Sequence, residues 1–143
     1  MTDWFETCRG VVLPKHCDHF GHMNVRYYGH CFDDAGFQIW TLIGTGLKEI
    51  EARGVHTVVA SFHIDFVQEI TAGELWVTKG GFVKVGNKSC THRQKMFNAD
   101  TGALHAVNEV VEVFFDPKTR KAAPMPDDIR AKIESNLVDP DGP

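Results

Sequence analysis

Apolar residues recur at spacings of three and four from Asn24 onward, at Tyr28, Cys31, Phe32, Ala35, Ile39, Leu42 and Ile43. Arg26, His30, Asp33, Asp34 and Gln38 fill much of the rest. This period predicts one amphipathic helix of about twenty residues. Asn24 suits its N-cap, and the glycine-flanked GTG at Gly44 to Gly46 ends or bends it before a short second piece, LKEIEARG, closed by Gly54. Beyond Gly54 the period becomes two. Val58, Ala60, Phe62, Ile64 and Phe66 share one face and Ser61, His63 and Asp65 the other, the pattern of a half-buried strand. Three further strands are predicted in ELWVTKGGFVKVG, KSCTHRQKMFNA and ALHAVNEVVEVFFD, and the short connections GNK and ADTG make them an antiparallel meander. Upstream, TCRGVVLPK predicts a short first strand stopped by Pro14. The tail DPKTRKAAPMPDDIRAKIESNL predicts a short helix capped at Asp127, after which the chain frays in VDPDGP.

One strand, one long helix and then four or more strands, without repeat or linker, predict an α+β fold in which an antiparallel sheet wraps around a central helix. Residues 1–143 form a single domain. One helix covers only one face of such a sheet, so the exposed face and any free edge predict association into a homodimer or homotetramer.

Composition narrows the function classes. Apolar residues make up 43% of the chain and charged residues 24%, the balance of a folded, water-soluble domain. The net charge of -4 has no Lys/Arg block to set against a phosphate backbone, which argues against nucleic acid as a partner. No apolar run long enough for a membrane span occurs, and the N-terminal MTDWFETCRG lacks the features of a leader, so a cytoplasmic setting is expected. Cys8, Cys17, Cys31 and Cys90 form no C-x-x-C and are read as reduced thiols.

The chemistry concentrates in KHCDHFGHMNVRYY, Lys15 to Tyr28. His16, Cys17, Asp18, His19 and His22 all bear zinc-binding groups, and His16, His19 and His22 would be the ligands of a zinc-dependent hydrolase. Five candidates crowded before one helix, with no second ligand pair at a recognised spacing, is a poor fit to tetrahedral convergence. The same stretch read as a loop feeding a helix N-terminus has a clearer use. First-turn amides lack intrahelical partners and sit at the positive end of the macrodipole, so those of Asn24 and Val25 can hold a developing oxyanion. Gly21 allows a sharp turn or close backbone approach. Asp18, one loop away, can attack an acyl carbonyl or activate water.

D-H-F-G-H-M-N-x-x-Y-Y, followed by the long helix and the GELWVTKG, GNKS and TGALHA strand series, resembles the hotdog-fold acyl-CoA thioesterases of the 4-hydroxybenzoyl-CoA thioesterase type, from about Glu6 to Ile133. The resemblance implies that Asp18 is the catalytic carboxylate and that the Val25 N–H polarises the thioester carbonyl. The D-x-x-G-H-x-N spelling, with His22 and Asn24, and the AAPMP segment are similar to a branch that includes betainyl-CoA thioesterases. The long helix carries no glutamate, only Asp33 and Asp34, so a glutamate-based hotdog mechanism is not expected. The expected activity is hydrolysis of an acyl-CoA to a carboxylic acid and CoA, with no cofactor. A non-catalytic acyl-CoA-binding protein and the zinc hydrolase are the alternatives.

Further residues fall in with this reading. His22 would touch substrate or water, while Asn24 is first of all a cap. Gly21, Tyr28 and His63 are expected at the substrate, with one of Tyr27 and Tyr28 in the core. Trp40 suits the core or an aromatic wall facing a quaternary ammonium. Lys84, Lys88, Arg93 and Lys95 could meet the nucleotide phosphates of CoA or form a solvated face.

Overall fold

The computed structural model describes residues 2–143. Strand β1 (Phe5–Val11) leads through a 3-10 turn (Pro14–His16) into helix α1 (Val25–Leu42). A short helix α2 (Leu47–Ala52) follows, then strands β2 (His56–Phe66), β3 (Leu75–Val85), β4 (Ser89–Asn98), β5 (Leu104–Asp116) and β6 (Lys121–Ala122), and helix α3 (Asp127–Ser135). All pairings are antiparallel, in the order β1-β3-β4-β5-β2 with β6 added to β5. This is the hotdog fold, and β3-β4-β5 is the predicted meander. Among the described residues no helix is long and apolar enough to cross a membrane.

Helix α1 fills the concave side of the sheet because its apolar stripe meets the inward positions of three strands, β3, β4 and β5. Phe32, Ala35, Ile39 and Trp40 are buried together with Phe82, Met96, Val110 and Phe114. Burying each of the larger side chains is worth about 1.5–3 kcal/mol. Two polar ties fix the helix to the sheet: Gln94 donates to the Phe32 carbonyl at 2.9 Å, and the Trp40 indole donates to Glu112 at 3.1 Å. Asn24 is the N-cap, its side-chain oxygen accepting from the Arg26 amide at 3.1 Å. Ile129 and Ile133 of α3 close the far end of the core.

Four expectations need correction. The alternation read for β2 does not run unbroken, because Val59 pairs with Glu112 and Ser61 with Val111, leaving Ala60 as an extra, bulged residue. Thr57 and Val59 before the bulge and Phe62 after it face the helix side, while Val58 lies over Val113 and Phe115 on the other. The strand is also exposed rather than half-buried along most of its length, since it forms a free edge of the sheet. The cap of α3 is Pro126, with Asp127 already in its first turn. Lastly, the tail does not fray. Val138 is fully buried, its amide donates to the Phe82 carbonyl at 2.9 Å, and it packs where a Cβ on Gly81 would stand 2.6 Å from its methyl group. Trp4 donates to the Asp139 carbonyl at 2.6 Å, and Arg93 and Lys95 bind the Pro140 and Pro143 carbonyls at 3.1 and 2.8 Å.

Candidate active site

The loop before α1 is a closed turn built from its own backbone. Cys17 bridges Met23, the Asp18 amide donates to the His22 carbonyl at 2.8 Å, and the Gly21 amide donates back to the Asp18 carbonyl at 3.1 Å. Gly21 has φ +83°, a conformation only glycine adopts without strain. Two bonds anchor the turn, from the Met23 amide to the Ile70 carbonyl and from the Asn24 amide to the His16 carbonyl, both 2.8 Å. The loop thereby holds Asp18 at the head of α1. There the Val25 amide has no hydrogen-bond acceptor among the described residues, and its side chain is exposed.

Asp18 is gripped on one side only. Its Oδ1 accepts from the Phe20 amide at 2.9 Å and the His22 amide at 3.3 Å, while Oδ2 has no hydrogen-bond partner among the described residues. Partial desolvation works to raise this carboxyl, but the two amides and the nearby His22 and His19 prevail and hold it below its ordinary range. It is therefore an anion at neutral pH with one oxygen available. His22 lies beside it, with Nδ1 3.3 Å from Glu69 Oε2 and its ring stacked on Phe20 at 6.4 Å. Tyr28 is buried edge-on against Phe66 at 5.0 Å, and burial, reinforced by Glu69 and Asp18, keeps its phenol protonated above the usual range. Tyr28 is thus the core tyrosine. Tyr27 packs at a tilt against the His16 ring at 4.8 Å and lines a cavity of about 270 Å³ on the β1 side.

Other predicted residues lie elsewhere. His63 is on the outward face of β2, hydrogen-bonded to Asp65 at 3.0 Å and opposite Glu109. Arg93 and Lys95 are occupied by the C-terminal carbonyls, so they form neither a free phosphate site nor a purely solvated face, whereas Lys84 and Lys88 are exposed. The three histidines of the metal reading have separate partners: His16 Nδ1 accepts from the Leu13 amide, His22 meets Glu69, and His19 packs on Phe20. Among the described residues no group of three or more His, Cys, Asp or Glu is arranged to hold a metal ion. The four cysteines are unpaired, and burial pushes the Cys31 thiol up to about 12.

Sequence reasoning missed a second polar constellation. A cavity of about 340 Å³ lies between the later turns of α1, α2 and the inner faces of β2, β4 and β5, with Phe32, Phe37, Trp40 and Phe62 as aromatic wall. In its lining Glu112 Oε2 accepts from both Trp40 Nε1 and His92 Nε2, the latter at 3.0 Å. Burial works to raise the Glu112 carboxyl, yet His92 and Trp40 hold it below its ordinary range. His92 Nδ1 is buried without a partner among the described residues. The signal was present in the strands: His92 and Glu112 occupy inward positions of alternating β4 and β5, where a buried polar residue needs a partner.

A family described as the thioesterase-like superfamily matches residues 12–133. No curated protein matches the chain by sequence. Among solved structures, a Staphylococcus aureus hypothetical protein in complex with CoA superposes with TM-score 0.83 at 20% identity, covering 97% of this chain and 90% of that one. A 1,4-dihydroxy-2-naphthoyl-CoA thioesterase from Synechocystis gives 0.76 at 17%, covering 95% and 97%. A probable thioesterase from Escherichia coli gives 0.78 at 20%, covering 92% and 98%. At these identities the structural likeness establishes a shared fold. The family match spans most of the chain and the strand order agrees with it, so the chain belongs to the thioesterase-like superfamily, hydrolases of thioester bonds built on the hotdog fold.

Proposed function

We propose that the protein hydrolyses acyl-CoA thioesters at the head of α1, with Asp18 as the reacting carboxylate and the Val25 amide as oxyanion donor. The observation that carries this reading is the half-occupied Asp18 carboxylate, one oxygen fixed by two amides and the other free, beside a helix start whose Val25 amide has no acceptor. The thioester oxygen accepts from Val25 N–H, aided by the helix dipole. Asp18 Oδ2 either attacks the carbonyl carbon or takes the proton of an attacking water. With water as the attacking group, C–S cleavage leaves the carboxylic acid and the CoA thiol directly; with Asp18 as nucleophile it leaves an acyl anhydride on Asp18 and the CoA thiol, and water then hydrolyses the anhydride to the acid and free Asp18. Asn24 contributes by fixing where the helix starts, and Gly21 by allowing the turn that brings Asp18 there.

Association through the free β2 edge, as a dimer or as a tetramer built on it, is part of the proposal. The exposure of Val58, Val59, Phe62, Phe66 and the adjoining Val67 along the open edge of β2 supports it. The D-x-x-G-H-x-N spelling of the loop favours an acyl group of the betainyl type.

The test is a hydrolysis screen of short, branched, aromatic and betaine-type acyl-CoA esters, repeated with Asp18→Asn. The variant is expected to lose turnover by about 10³-fold while still binding a non-hydrolysable thioether analogue. Unchanged hydrolysis would remove Asp18 from the mechanism, and binding without turnover by the native protein would make it an acyl-CoA-binding protein instead.

A further inference from the structure

We propose that the 340 Å³ cavity beside the later turns of α1 is a binding site for a primary ammonium ion on a compact apolar body, with the Glu112 carboxylate as its anchor. Nothing in this rests on the residues assigned to thioester cleavage. Phe32, Phe37, Trp40 and Phe62 wall the cavity, and its volume is at the small end of the about 300–1,000 Å³ usual for ligand pockets. Part of the space exists because α1 carries a glycine there. A Cβ built on Gly36 would stand 3.4 Å from His92 Cε1, and both residues belong to the lining, so a side chain at this position would occupy room in front of the imidazole.

Hydrogen-bond accounting shows what the lining is short of. Glu112 Oε2 accepts from the Trp40 indole at 3.1 Å and from His92 Nε2 at 3.0 Å, and the Thr57 hydroxyl is the third group that helps to hold this carboxyl charged. A carboxylate has about four acceptor positions, so three donors leave one open. The side chain is 10% exposed, and the surface it keeps belongs to the cavity it lines. With Nε2 donating to the carboxylate, Nδ1 of the neutral imidazole is a further acceptor, and it is buried without a partner among the described residues. Donors are what is missing, and charge selects among them. The ionisable lining is Glu112, Asp33 and Glu51 with His56 and His92, and it contains no Lys or Arg. A carboxylate ligand is repelled there. A hydroxyl offers one hydrogen and no charge, and a quaternary ammonium offers charge and no hydrogen. A primary ammonium offers three N–H groups and a positive charge that the aromatic faces also attract.

The probe is 2-phenylethylamine, titrated into the whole protein and followed through the nitrogen-15 NMR signal of the Trp40 indole, assigned by its loss in Trp40→Phe. Saturable movement of that signal is expected. The alcohol 2-phenylethanol and the N-trimethylated amine should each bind about tenfold more weakly, and 3-phenylpropanoate not at all. Equal affinity for amine and alcohol, or no saturable binding of the amine, overturns the proposal. Glu112→Gln keeps the shape of the anchor without its charge and is expected to weaken the amine about tenfold. Gly36→Ala leaves the Glu112 bonds in place, suits a helix better than glycine, and is expected to weaken the amine by taking up space against His92. Native affinity in either variant overturns the proposal. Asp18→Asn is expected to bind the amine as the native chain does, whatever becomes of its turnover. A loss of binding there would move the amine to the head of α1 and overturn the assignment of this cavity.

Discussion

The two ends of α1 each present a carboxylate held below its ordinary range, by opposite means. At the N-terminal end, Asp18 sits at the surface and is held by main-chain amides that its own loop supplies. Near the C-terminal end, Glu112 is buried and is held by side chains, His92 from the neighbouring strand and Trp40 from the helix. The first arrangement leaves an oxygen free and makes no demand on the core, as a reacting group requires. The second ties helix to sheet and loses its purpose if any one member is removed. A lowered carboxyl is therefore not in itself a sign of catalysis; what its oxygens are bonded to decides.

The comparison is broken most severely by Glu112→Ala. It strands the His92 ring and the Trp40 indole in the core and is expected to cost about 3–5 kcal/mol in urea unfolding. Replacing the pair together, as Glu112→Met with His92→Phe, should recover most of that loss, because the cost lies in the unpaired partner. Asp18→Asn, by contrast, should lower turnover by the same factor of about 10³ and leave the melting temperature unchanged, since an amide oxygen can still accept from Phe20 and His22.

Acid sharpens the contrast. A carboxyl depressed on folding contributes stability that is complete above its unfolded value, 4.5 for Glu112, and is lost as pH falls through the folded one. Thermal unfolding followed downward from pH 5 should show a steeper loss for the native chain than for Glu112→Gln. Asp18→Asn should follow the native curve closely, because an exposed group is screened.

Smaller changes test the loop. Gly21→Ala meets no atom within 4 Å, so its expected cost of about 1–2 kcal/mol is that of placing a side chain at φ +83°. Asn24→Ala removes the bond to the Arg26 amide and should cost about 1 kcal/mol. If the helix start places the oxyanion donor, Asn24→Ala lowers kcat more than it raises KM. A change in KM alone would confine Asn24 to capping.

The sequence by itself determined the helix, the meander and the place of the loop, because these follow from local periods and local caps. The three-and-four stripe from Tyr28 to Ile43, Asn24 before it and Gly44 after it lie within one segment, and the structure has the helix there. Turn chemistry likewise put Asp18 next to the helix start, since both belong to one short stretch.

Only the tertiary structure decided what depends on partners distant in sequence. A bulge at Ala60 changed which residues of β2 face the helix, which is visible only in the register with β5. Lys95 reads as a surface charge until the C-terminal residues fold back over it, and Glu69 as a loop acid until His22 lies beside it. Glu112, His92 and Trp40 come from three elements, and their convergence is a property of the sheet closing on the helix. Local patterns carry the energetics of single elements. Pairing across the fold is where a side chain acquires its chemistry.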